Sequence, residues 1–200
     1  MVSGMTSGEE ISPPAMTKGI QDSYIDFSEG FLLETGAKFD LAIEGEGFFV
    51  VSTPHSTLYT RNGQFTVNDE KKLVTMSGYP VQGSEGEITI AGTQVFVAPD
   101  GSVTVDGKPV VRLKVVDFEE KEAIRPIGNS LYFNTREDNE ETASAGYSIR
   151  QGFIESSNVN VMNELTNLIN CIRAYEAFDK VKQKISEATG KINELPRFKA

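Results

Sequence analysis

Few side chains in this sequence have the type and spacing that catalysis requires. The single histidine, His55, follows Pro54 in a predicted loop, and no second histidine is present to help it hold a metal ion. Glu44 and Glu46 stand two residues apart, so on a strand their carboxylates share one face, where general acid–base chemistry could arise. Nothing beside them in the sequence singles out either one as an acid or a base.

A phosphate-binding loop is also excluded by the sequence. Gly45-Glu46-Gly47 lacks the third glycine and the following helix that such a loop requires, and no serine or cysteine lies in a nucleophile motif. We therefore predict that the protein is not an enzyme. We expect no catalytic residue, no metal site, no cofactor and no small-molecule substrate.

The charge of the chain narrows its possible partners. The net charge is −10, and residues 1–157 hold 12 Lys and Arg against 24 Asp and Glu, whereas residues 158–195 hold five of each sign. An acidic body without a basic stripe disfavours nucleic acid and anionic membranes. The hydrophobic content of 38% is sufficient for an ordinary core in one or two domains.

The amino terminus and the cysteine content add two further expectations. Met1-Val2-Ser3-Gly4 lacks the basic and apolar regions of a secretory signal, so export would need another route. The lone cysteine, Cys171, cannot form an intramolecular disulfide, and its position in an apolar-periodic segment predicts a small buried side chain.

The strongest periodicity lies at the C-terminus, where residues 158–195 predict one long helix. Its apolar residues recur at spacings of three and four, which places them on one face as a coiled-coil seam. Between Ile172 and Val181 three successive steps of three form a stammer, which is expected to overwind the supercoil locally. No other segment offers a comparable helical face, so an intermolecular partner is favoured over packing on the chain's own domain. The residues predicted to contact other subunits are Val161, Leu165, Leu168, Ile172, Tyr175, Phe178, Val181 and Ile185.

The segments around this helix divide the rest of the chain. Residues 1–19 are small and polar and predict a flexible arm, and residues 20–39 predict an extended linking region. Residues 146–157 are expected to form a return linker, and residues 196–200 a tail. Four polar residues are expected to cap the helix start: Ser156, Ser157, Asn158 and Asn160.

Residues 40–145 predict a β domain of about ten short strands, because turn residues recur every eight to twelve positions. This pattern is typical of a small antiparallel barrel or sandwich. Phe48-Phe49-Val50-Val51 indicates a buried strand. Asn62-Gly63 predicts a type I′ turn with positive φ at Gly63, which would pair residues 58–61 with residues 64–67.

Three blocks of this sequence resemble the rod and hook proteins of the bacterial flagellum. The first is residues 26–30 with Thr35-Gly36, the second is residues 40–49 continued by residues 59–63 and 73–75, and the third is residues 151–160 with residues 173–176. Their order and joint occurrence make the resemblance specific. The matching motif residues are Asp40, Gly45, Gly47, Phe48, Phe49, Arg61, Asn62, Gly63, Gly152, Glu155, Ser157, Asn158, Arg173, Tyr175 and Glu176.

The resemblance implies a terminal coiled-coil domain made by both chain ends, of which residues 158–195 are one half, together with an outer β domain. It implies a structural subunit that polymerises through its terminal helix into a helical tube around a protein-export channel. Further copies of the chain, other rod and hook subunits and the flagellar export apparatus are then the expected partners. The expected location is the periplasm-spanning rod of the basal body, reached without a cleaved signal peptide. The short β domain is most similar to the proximal-rod protein, with a distal-rod or hook subunit as the alternative. Residues 1–19 do not match the family pattern, so the start of the chain is expected to be truncated or misplaced.

A different class of protein is also compatible with the β domain. A β-sandwich that binds carbohydrate or acts as an adhesin would have a similar strand pattern. Such a module is expected to expose an aromatic platform, and the chain has no Trp and only six Tyr. The structural-subunit interpretation is therefore favoured.

Overall fold

The computed structural model describes residues 25–54, 56–144 and 146–193. Within these residues the protein is mainly β, with a single long C-terminal α-helix. Several sequence-based expectations fall outside them: the arm of residues 1–19, His55, and the predicted helix end at Leu195.

The strands are short and are followed by the helix α1 (Val161–Asn193), with one 3-10 turn at Lys121–Ala123. In chain order the strands are β1 (Leu32–Glu34), β2 (Leu41–Glu44), β3 (Phe48–Ser52), β4 (Thr57–Thr60), β5 (Phe65–Val67), β6 (Leu73–Thr75), β7 (Gln82–Gly83), β8 (Gly86–Glu87), β9 (Val95–Val97), β10 (Ser102–Val105), β11 (Lys108–Arg112), β12 (Val115–Asp117), β13 (Ile124–Gly128), β14 (Leu131–Asn134), β15 (Thr142–Ala143), β16 (Ser148–Gln151) and β17 (Phe153–Glu155).

The central strand is β3, which is buried on both faces. It lies inside a six-stranded sheet of order β13-β14-β4-β3-β12-β15. Phe49 and Val51 point into the larger hydrophobic core, and Phe48 and Val50 point into a smaller core on the other face. Because alternate side chains of a strand point to opposite faces, only a continuous apolar run can fill both cores. The buried strand predicted from the sequence is confirmed.

The larger core is closed by the three-stranded sheet β11-β10-β9 and by several two-stranded pairs. Val97, Val103 and Val105 of that sheet pack into this core. The strands described form no closed barrel, because β13 and β15 remain the two edges of the six-stranded sheet. The prediction of an antiparallel β body is confirmed in this coarser form.

The hairpin predicted around Asn62-Gly63 is wrong. Strand β4 pairs with β3 and β14, whereas β5 pairs with β6. Gly63 is not among the glycines with positive φ, so the turn is not of type I′. The chain instead crosses from one sheet to another at this point, and the amide of Leu41 donates a hydrogen bond to the carbonyl of Gly63 (3.0 Å).

Residues 146–157, expected as a return linker, contain two strands. β16 pairs with β2 over four residues, and its Ile149 is 2% exposed in the larger core. β17 pairs with β1, next to the start of the helix. The chain therefore leaves the β body through paired strands.

Candidate assembly site at the base of the helix

The segment that enters the β body and the segment that leaves it run side by side. β1 and β17 are antiparallel, with Leu32 opposite Glu155 and Glu34 opposite Phe153. The amide of Ser156 then donates to the carbonyl of Phe31 at 2.8 Å, which extends the ladder toward the helix. We use the name junction for residues 26–36 and 152–158 together with Arg61. Contacts that hold the junction in place therefore also hold the residues that lead into α1.

Arg61 is the central side chain of the junction. Its Nε donates to Oε2 of Glu155 at 2.7 Å, and Nη2 donates to Oε1 of the same carboxylate at 3.2 Å. Its Nη1 also donates to the carbonyls of Gly45 (3.2 Å) and Gly47 (3.0 Å). The guanidinium thus joins β17 to the turn between β2 and β3, using the planar fork of donors that lysine lacks.

Glu155 and Glu29 complete the polar contacts of this site. The Glu155 carboxylate also accepts a hydrogen bond from the amide of Gly30 at 2.9 Å. The Glu29 carboxylate accepts one from the amide of Gly45. The side chains of Arg61 and Glu155 are only 14% and 10% exposed, so their charges are paired largely out of water.

Asn158 joins the two segments just below the helix. Its side-chain amide donates to the carbonyls of Asp26 and Ser28, both at 3.1 Å, and contacts Oγ of Ser28 at 3.0 Å. The close approach requires Gly30, because a Cβ at this position would lie 1.7 Å from the carbonyl oxygen of Ser156. Any other residue would push the two segments apart.

An aromatic cluster attaches the entering segment to the body. The ring of Phe27 lies edge-on to the buried Phe48, with 5.5 Å between ring centroids, and 5.6 Å from the ring of Tyr132. Aromatic pairs in this geometry add about 0.5–1.5 kcal/mol beyond their buried area. Phe27 therefore covers the smaller core and anchors the polar contacts beside it.

Three other motif residues, Asp40, Asn62 and Gly63, lie in or beside the turns that adjoin the junction. Asp40 accepts a hydrogen bond from Oγ1 of Thr35 (2.6 Å) through its carboxylate, and its carbonyl accepts one from the amide of Gly152 (2.7 Å). Oδ1 of Asn62 accepts one from the amide of Gln64 at 3.0 Å. Gly63 is needed for space, because a Cβ there would lie 1.5 Å from the carbonyl oxygen of Leu41.

Two ion pairs flank the junction. Glu46 lies 3.2 Å from Nζ of Lys121, and this contact holds the pKa of Glu46 below its ordinary value. Glu44 accepts a hydrogen bond from Nε of Arg150 at 2.7 Å, which lowers the pKa of Glu44. The two glutamates considered for acid–base chemistry are therefore each held as a carboxylate by a cation, which is the opposite of what a general acid at neutral pH requires.

The helix begins at the residue that its cap predicts. Oδ1 of Asn160 accepts hydrogen bonds from the amides of Met162 (3.1 Å) and Asn163 (3.2 Å), while Oγ of Ser157 accepts one from the amide of Val159 (3.2 Å). Asn160 is thus the N-cap of α1. The observed helix, Val161–Asn193, lies within the predicted range of residues 158–195.

The apolar side chains of α1 are exposed. Val161, Leu165 and Leu168 are 65%, 49% and 54% exposed, and the remaining predicted contact residues are exposed to a similar or greater degree. Their role in subunit contacts stays a prediction. Cys171 is exposed too, so the prediction of a buried cysteine is wrong, because the helix does not pack on the body.

The structure brings most of the motif residues together and leaves three apart. The residues from Asp40 to Asn158 lie at the junction, in the cores beside it or in the adjoining turns. Arg173, Tyr175 and Glu176 instead lie on the exposed helix. Sequence reasoning missed the contact between Arg61 and Glu155, since nothing in the local sequence indicates a partner 94 positions away.

Metal-binding clusters and membrane-spanning helices are two further features that the described part of the chain could contain. No group of three or more His, Cys, Asp or Glu side chains there could hold a metal ion. No helix in these residues is long and apolar enough to cross a membrane.

The described residues thus form an antiparallel β body that continues through paired strands into a long helix with exposed apolar side chains. Exposed apolar surfaces of this size commonly mark sites of protein–protein interaction. Two family descriptions match the chain: "Flagellar hook protein FlgE/F/G D1 domain" over residues 42–105 and "Flagellar basal body rod FlgEFG protein C-terminal" over residues 150–195. The first match covers much of the β body, and the second runs from the last strands through the helix.

Individual relatives agree with these matches. The chain is 36% identical to the flagellar basal-body rod protein FlgF of Caulobacter vibrioides, over 84% of the chain and 72% of the relative. It is 35% identical to the flagellar basal-body rod protein FlgG of Buchnera aphidicola subsp. Acyrthosiphon pisum, over 80% and 68%. It is 33% identical to FlgF of Mesorhizobium japonicum, over 77% and 65%.

The chain belongs to the flagellar basal-body rod protein family, as its motifs predicted. The members of this family are structural proteins and not enzymes, which agrees with the absence of a catalytic motif in the sequence. The carbohydrate-binding or adhesin interpretation gains no support from these matches.

Proposed function

We propose that this protein is a structural subunit of the flagellar basal-body rod and polymerises through α1 with other rod and hook subunits. The observation that carries the proposal is the exposure of a 33-residue helix whose apolar residues have no cover from the β body. Large exposed apolar stripes are rare on proteins that remain monomeric. Coiled-coil packing of α1 against helices of neighbouring subunits would bury this stripe.

The junction gives the second part of the proposed function. A subunit in a rod has to hold its body at a fixed angle to its helix, because each contact with a neighbour depends on that angle. The paired strands β1 and β17 and the contact of Arg61 with Glu155 support such rigidity. In this proposal the β body forms the outer part of the rod wall, and α1 lies nearer its axis.

The particular member of the family is part of the same proposal. Relatives named FlgF and FlgG match at 36% and 35% identity, so identity alone does not separate them. The short β body favours the proximal-rod protein. Export through the flagellar apparatus and location in the periplasm-spanning rod follow from this assignment.

A double substitution in α1 tests the function. Leu165→Asp with Ile172→Asp places two carboxylates in the apolar stripe, and an unpaired buried charge costs about 3–5 kcal/mol. In a flagellated host that depends on this protein, we expect loss of rod assembly and swimming with unchanged melting of the β body. The variant is also assayed outside the cytoplasm, so that failed export is not mistaken for failed assembly.

The chain offers a matched control on the opposite side of the same helix turns. Asn163→Asp with Asn170→Asp has the same spacing and adds the same charge, but faces away from Leu165 and Ile172. We expect this control to swim. If the Leu165 and Ile172 variant is exported and also swims normally, α1 is not the assembly element and the proposal is wrong.

A further inference from the structure

The side-chain amide of Gln151 binds the backbone of β9 along its outer edge. Its oxygen accepts a hydrogen bond from the amide of Val97 at 3.1 Å, and its nitrogen donates one to the carbonyl of Val95 at 3.1 Å. The same nitrogen donates a second hydrogen bond to the carbonyl of Lys38 at 2.7 Å. Both donors of the primary amide are therefore used, which fixes the orientation of the group.

Gln151 continues a backbone contact between β16 and the end of β9. The amide of Ile149 in β16 donates to the carbonyl of Pro99 at 2.8 Å. Two residues further along β16 is Gln151, and two residues before Pro99 is Val97, which is the register of antiparallel neighbours. The backbone of Gln151 pairs with Leu41 of β2, and its side chain instead reaches β9. The side chain thus supplies an acceptor and a donor that a neighbouring strand would otherwise supply.

β9 has the composition of a strand that pairs readily with other chains. Residues 93–98 read Thr-Gln-Val-Phe-Val-Ala and contain no charge and no proline. Backbone hydrogen bonds extend the pairing with β10 from Gln94 to Ala98, and Phe96 on the outer face is 60% exposed. Uncharged segments of this length and β propensity are prone to add strands from other chains when their edge is open.

The other edges of the two larger sheets carry protection of their own. β13 contains Pro126, β11 contains Lys108 and Pro109, and β15 has only two residues. Proline, lysine and short length are common means by which an edge strand avoids pairing with another chain. β9 is the fourth of these edges, and its sequence of Val-Phe-Val offers neither proline nor lysine. Its protection therefore has to come from another element.

We propose that the side-chain amide of Gln151 closes the edge of β9 and so prevents a second copy of the chain from pairing with it. The inference concerns the β body, so it holds whether or not α1 is the assembly element. A protein that assembles through selected surfaces has to exclude pairing through its other surfaces.

The pairing that Gln151 prevents has a definite geometry. The outward backbone groups of β9 belong to Val95 and Val97, so two copies of β9 pair about a two-fold axis with Val95 opposite Val97 of the second copy. The two Phe96 side chains then lie opposite each other. A two-fold contact closes on itself, so an open edge predicts a dimer and not a fibre.

Gln151→Met tests the proposal in the full chain, because methionine has a similar length but lacks the amide. Hydrogen exchange at the Val97 amide should accelerate at least about fivefold, since its acceptor is lost. At raised concentration, sedimentation should show more dimer, near twice the 21.9 kDa of one chain, than the unmodified protein shows. Slow exchange in β3 verifies that the β body remains folded.

Two further variants distinguish an open edge from a general loss of stability. Gln151→Glu loses the hydrogen bonds to Val95 and Lys38 but places a charge at the edge, and charge there discourages strand addition. It should form no more dimer than the unmodified chain. Phe96→Lys added to Gln151→Met places two lysines opposite each other in the dimer, and like charges in that position should abolish it.

Gln94→Met is the matched control. Gln94 is exposed and directly precedes β9, so the same change of side chain is made beside the same strand. Exchange at Val97 and the sedimentation of this variant should equal those of the unmodified chain.

Three results would overturn the proposal. Unchanged exchange at Val97 in Gln151→Met would mean that the side chain does not close the edge. Faster exchange without additional dimer would mean that the edge needs no protection. An equal amount of dimer in Gln151→Met and Gln151→Glu, or a dimer that persists after Phe96→Lys, would mean that the copies associate through another surface.

Discussion

Arg61 and Glu155 stand 94 positions apart in the sequence, and their side chains meet at 2.7 Å in the junction. The contact joins the turn between β2 and β3 to the last strand before the helix. Glu155 also accepts a hydrogen bond from Gly30, so a single carboxylate links the entering segment, the leaving segment and the body. The pair therefore connects the last strand before the helix to the β body.

The first prediction concerns the stability that this pair contributes. Arg61→Ala removes the guanidinium from the Glu155 carboxylate, which keeps its hydrogen bond from the amide of Gly30, and from the carbonyls of Gly45 and Gly47. Breaking a buried pair on one side costs about 3–5 kcal/mol. Chemical denaturation should show a loss of this size. Arg61→Lys should restore only part of it, because an ammonium cannot reproduce the planar fork.

Arg150 and Glu44 provide a matched control for that measurement. They have the same Nε–Oε2 distance of 2.7 Å, but their side chains are 53% and 47% exposed. Exposed ion pairs contribute little because water and salt screen them. Arg150→Ala should therefore leave stability almost unchanged, and an equal loss in both variants would mean that burial is not the cause.

The second prediction concerns Gly63. Gly63→Ala would place a Cβ 1.5 Å from the carbonyl oxygen of Leu41, so the backbone has to move and the hydrogen bond from the Leu41 amide is lost. Overpacking of this kind costs about 3 kcal/mol. The melting temperature of the β body should fall accordingly.

Gly36→Ala is a control that distinguishes a lack of space for a Cβ from strain in the backbone conformation. Gly36 has positive φ (69°), and a Cβ there would meet nothing within 4 Å. Gly36→Ala should cost only about 1–2 kcal/mol, the strain of a left-handed conformation. If it destabilises the body as much as Gly63→Ala does, close approach is not what Gly63 provides.

The sequence predicted the structure of Phe48-Phe49-Val50-Val51 correctly and that of the turn at Gly63 incorrectly. A continuous run of apolar residues indicates a strand that is buried on both faces, because its alternate side chains point to opposite sides of the sheet. β3 has this structure. Asn62-Gly63 has the composition of a tight turn, but the bridge between Asp40 and Gln64 and the hydrogen bond from Leu41 to Gly63 determine its backbone. Asp40 and Leu41 belong to an earlier part of the chain, so a local pattern could not predict these contacts.

The candidate site also has features that could be predicted from the sequence and features that could not. The family resemblance identified Arg61, Glu155 and Asn158 as motif residues, and the cap at Asn160 could be predicted from local chemistry. Their convergence could not be predicted, because it depends on β1 lying beside β17. For Cys171 the sequence predicted a contact that the structure lacks. Apolar periodicity predicted that its side chain is buried, but no described residue outside the helix packs against α1.

The third prediction is a pH dependence. Lys121 lowers the pKa of Glu46 in the folded state, so the unfolded chain takes up a proton at this site more readily than the folded chain does. The stabilisation is present at neutral pH and is lost as the pH falls from the ordinary value of 4.5 through the lower folded-state pKa. In Lys121→Met, NMR titration should show the pKa of Glu46 moving upward. A pKa unchanged by this substitution would contradict the assignment.

The fourth prediction concerns local stability. The amides of β3 and β4 lie in a sheet with buried side chains on both faces, whereas α1 has no packed face. In dilute protein, amide hydrogen exchange should be slow in β3 and β4 and fast from Leu165 to Ile185, because an unpacked helix opens readily. Slow exchange across that part of the helix in a verified monomer would contradict this prediction.

The last prediction separates the junction from the body. Asn158→Asp keeps the shape of the side chain but replaces an amide donor with a carboxylate facing the carbonyls of Asp26 and Ser28. Losing these hydrogen bonds should weaken the ladder between β1 and β17 by about 1.4 kcal/mol, which is about a tenfold increase in opening. Amide exchange at Ser156 should accelerate by that factor, while melting of the β body stays unchanged.

Asn160→Asp makes the same chemical change two residues further along. Its carboxylate still accepts from the amides of Met162 and Asn163, because Asp caps a helix about as well as Asn does. The control should therefore keep normal exchange at Ser156 and normal swimming, whereas Asn158→Asp should impair rod assembly. Equal effects of the two substitutions would mean that the added negative charge near the helix start is responsible, and not the loss of the hydrogen bonds from Asn158 to Asp26 and Ser28. Swimming retained in Asn158→Asp despite faster exchange at Ser156 would mean that the rod does not need a fixed angle between body and helix.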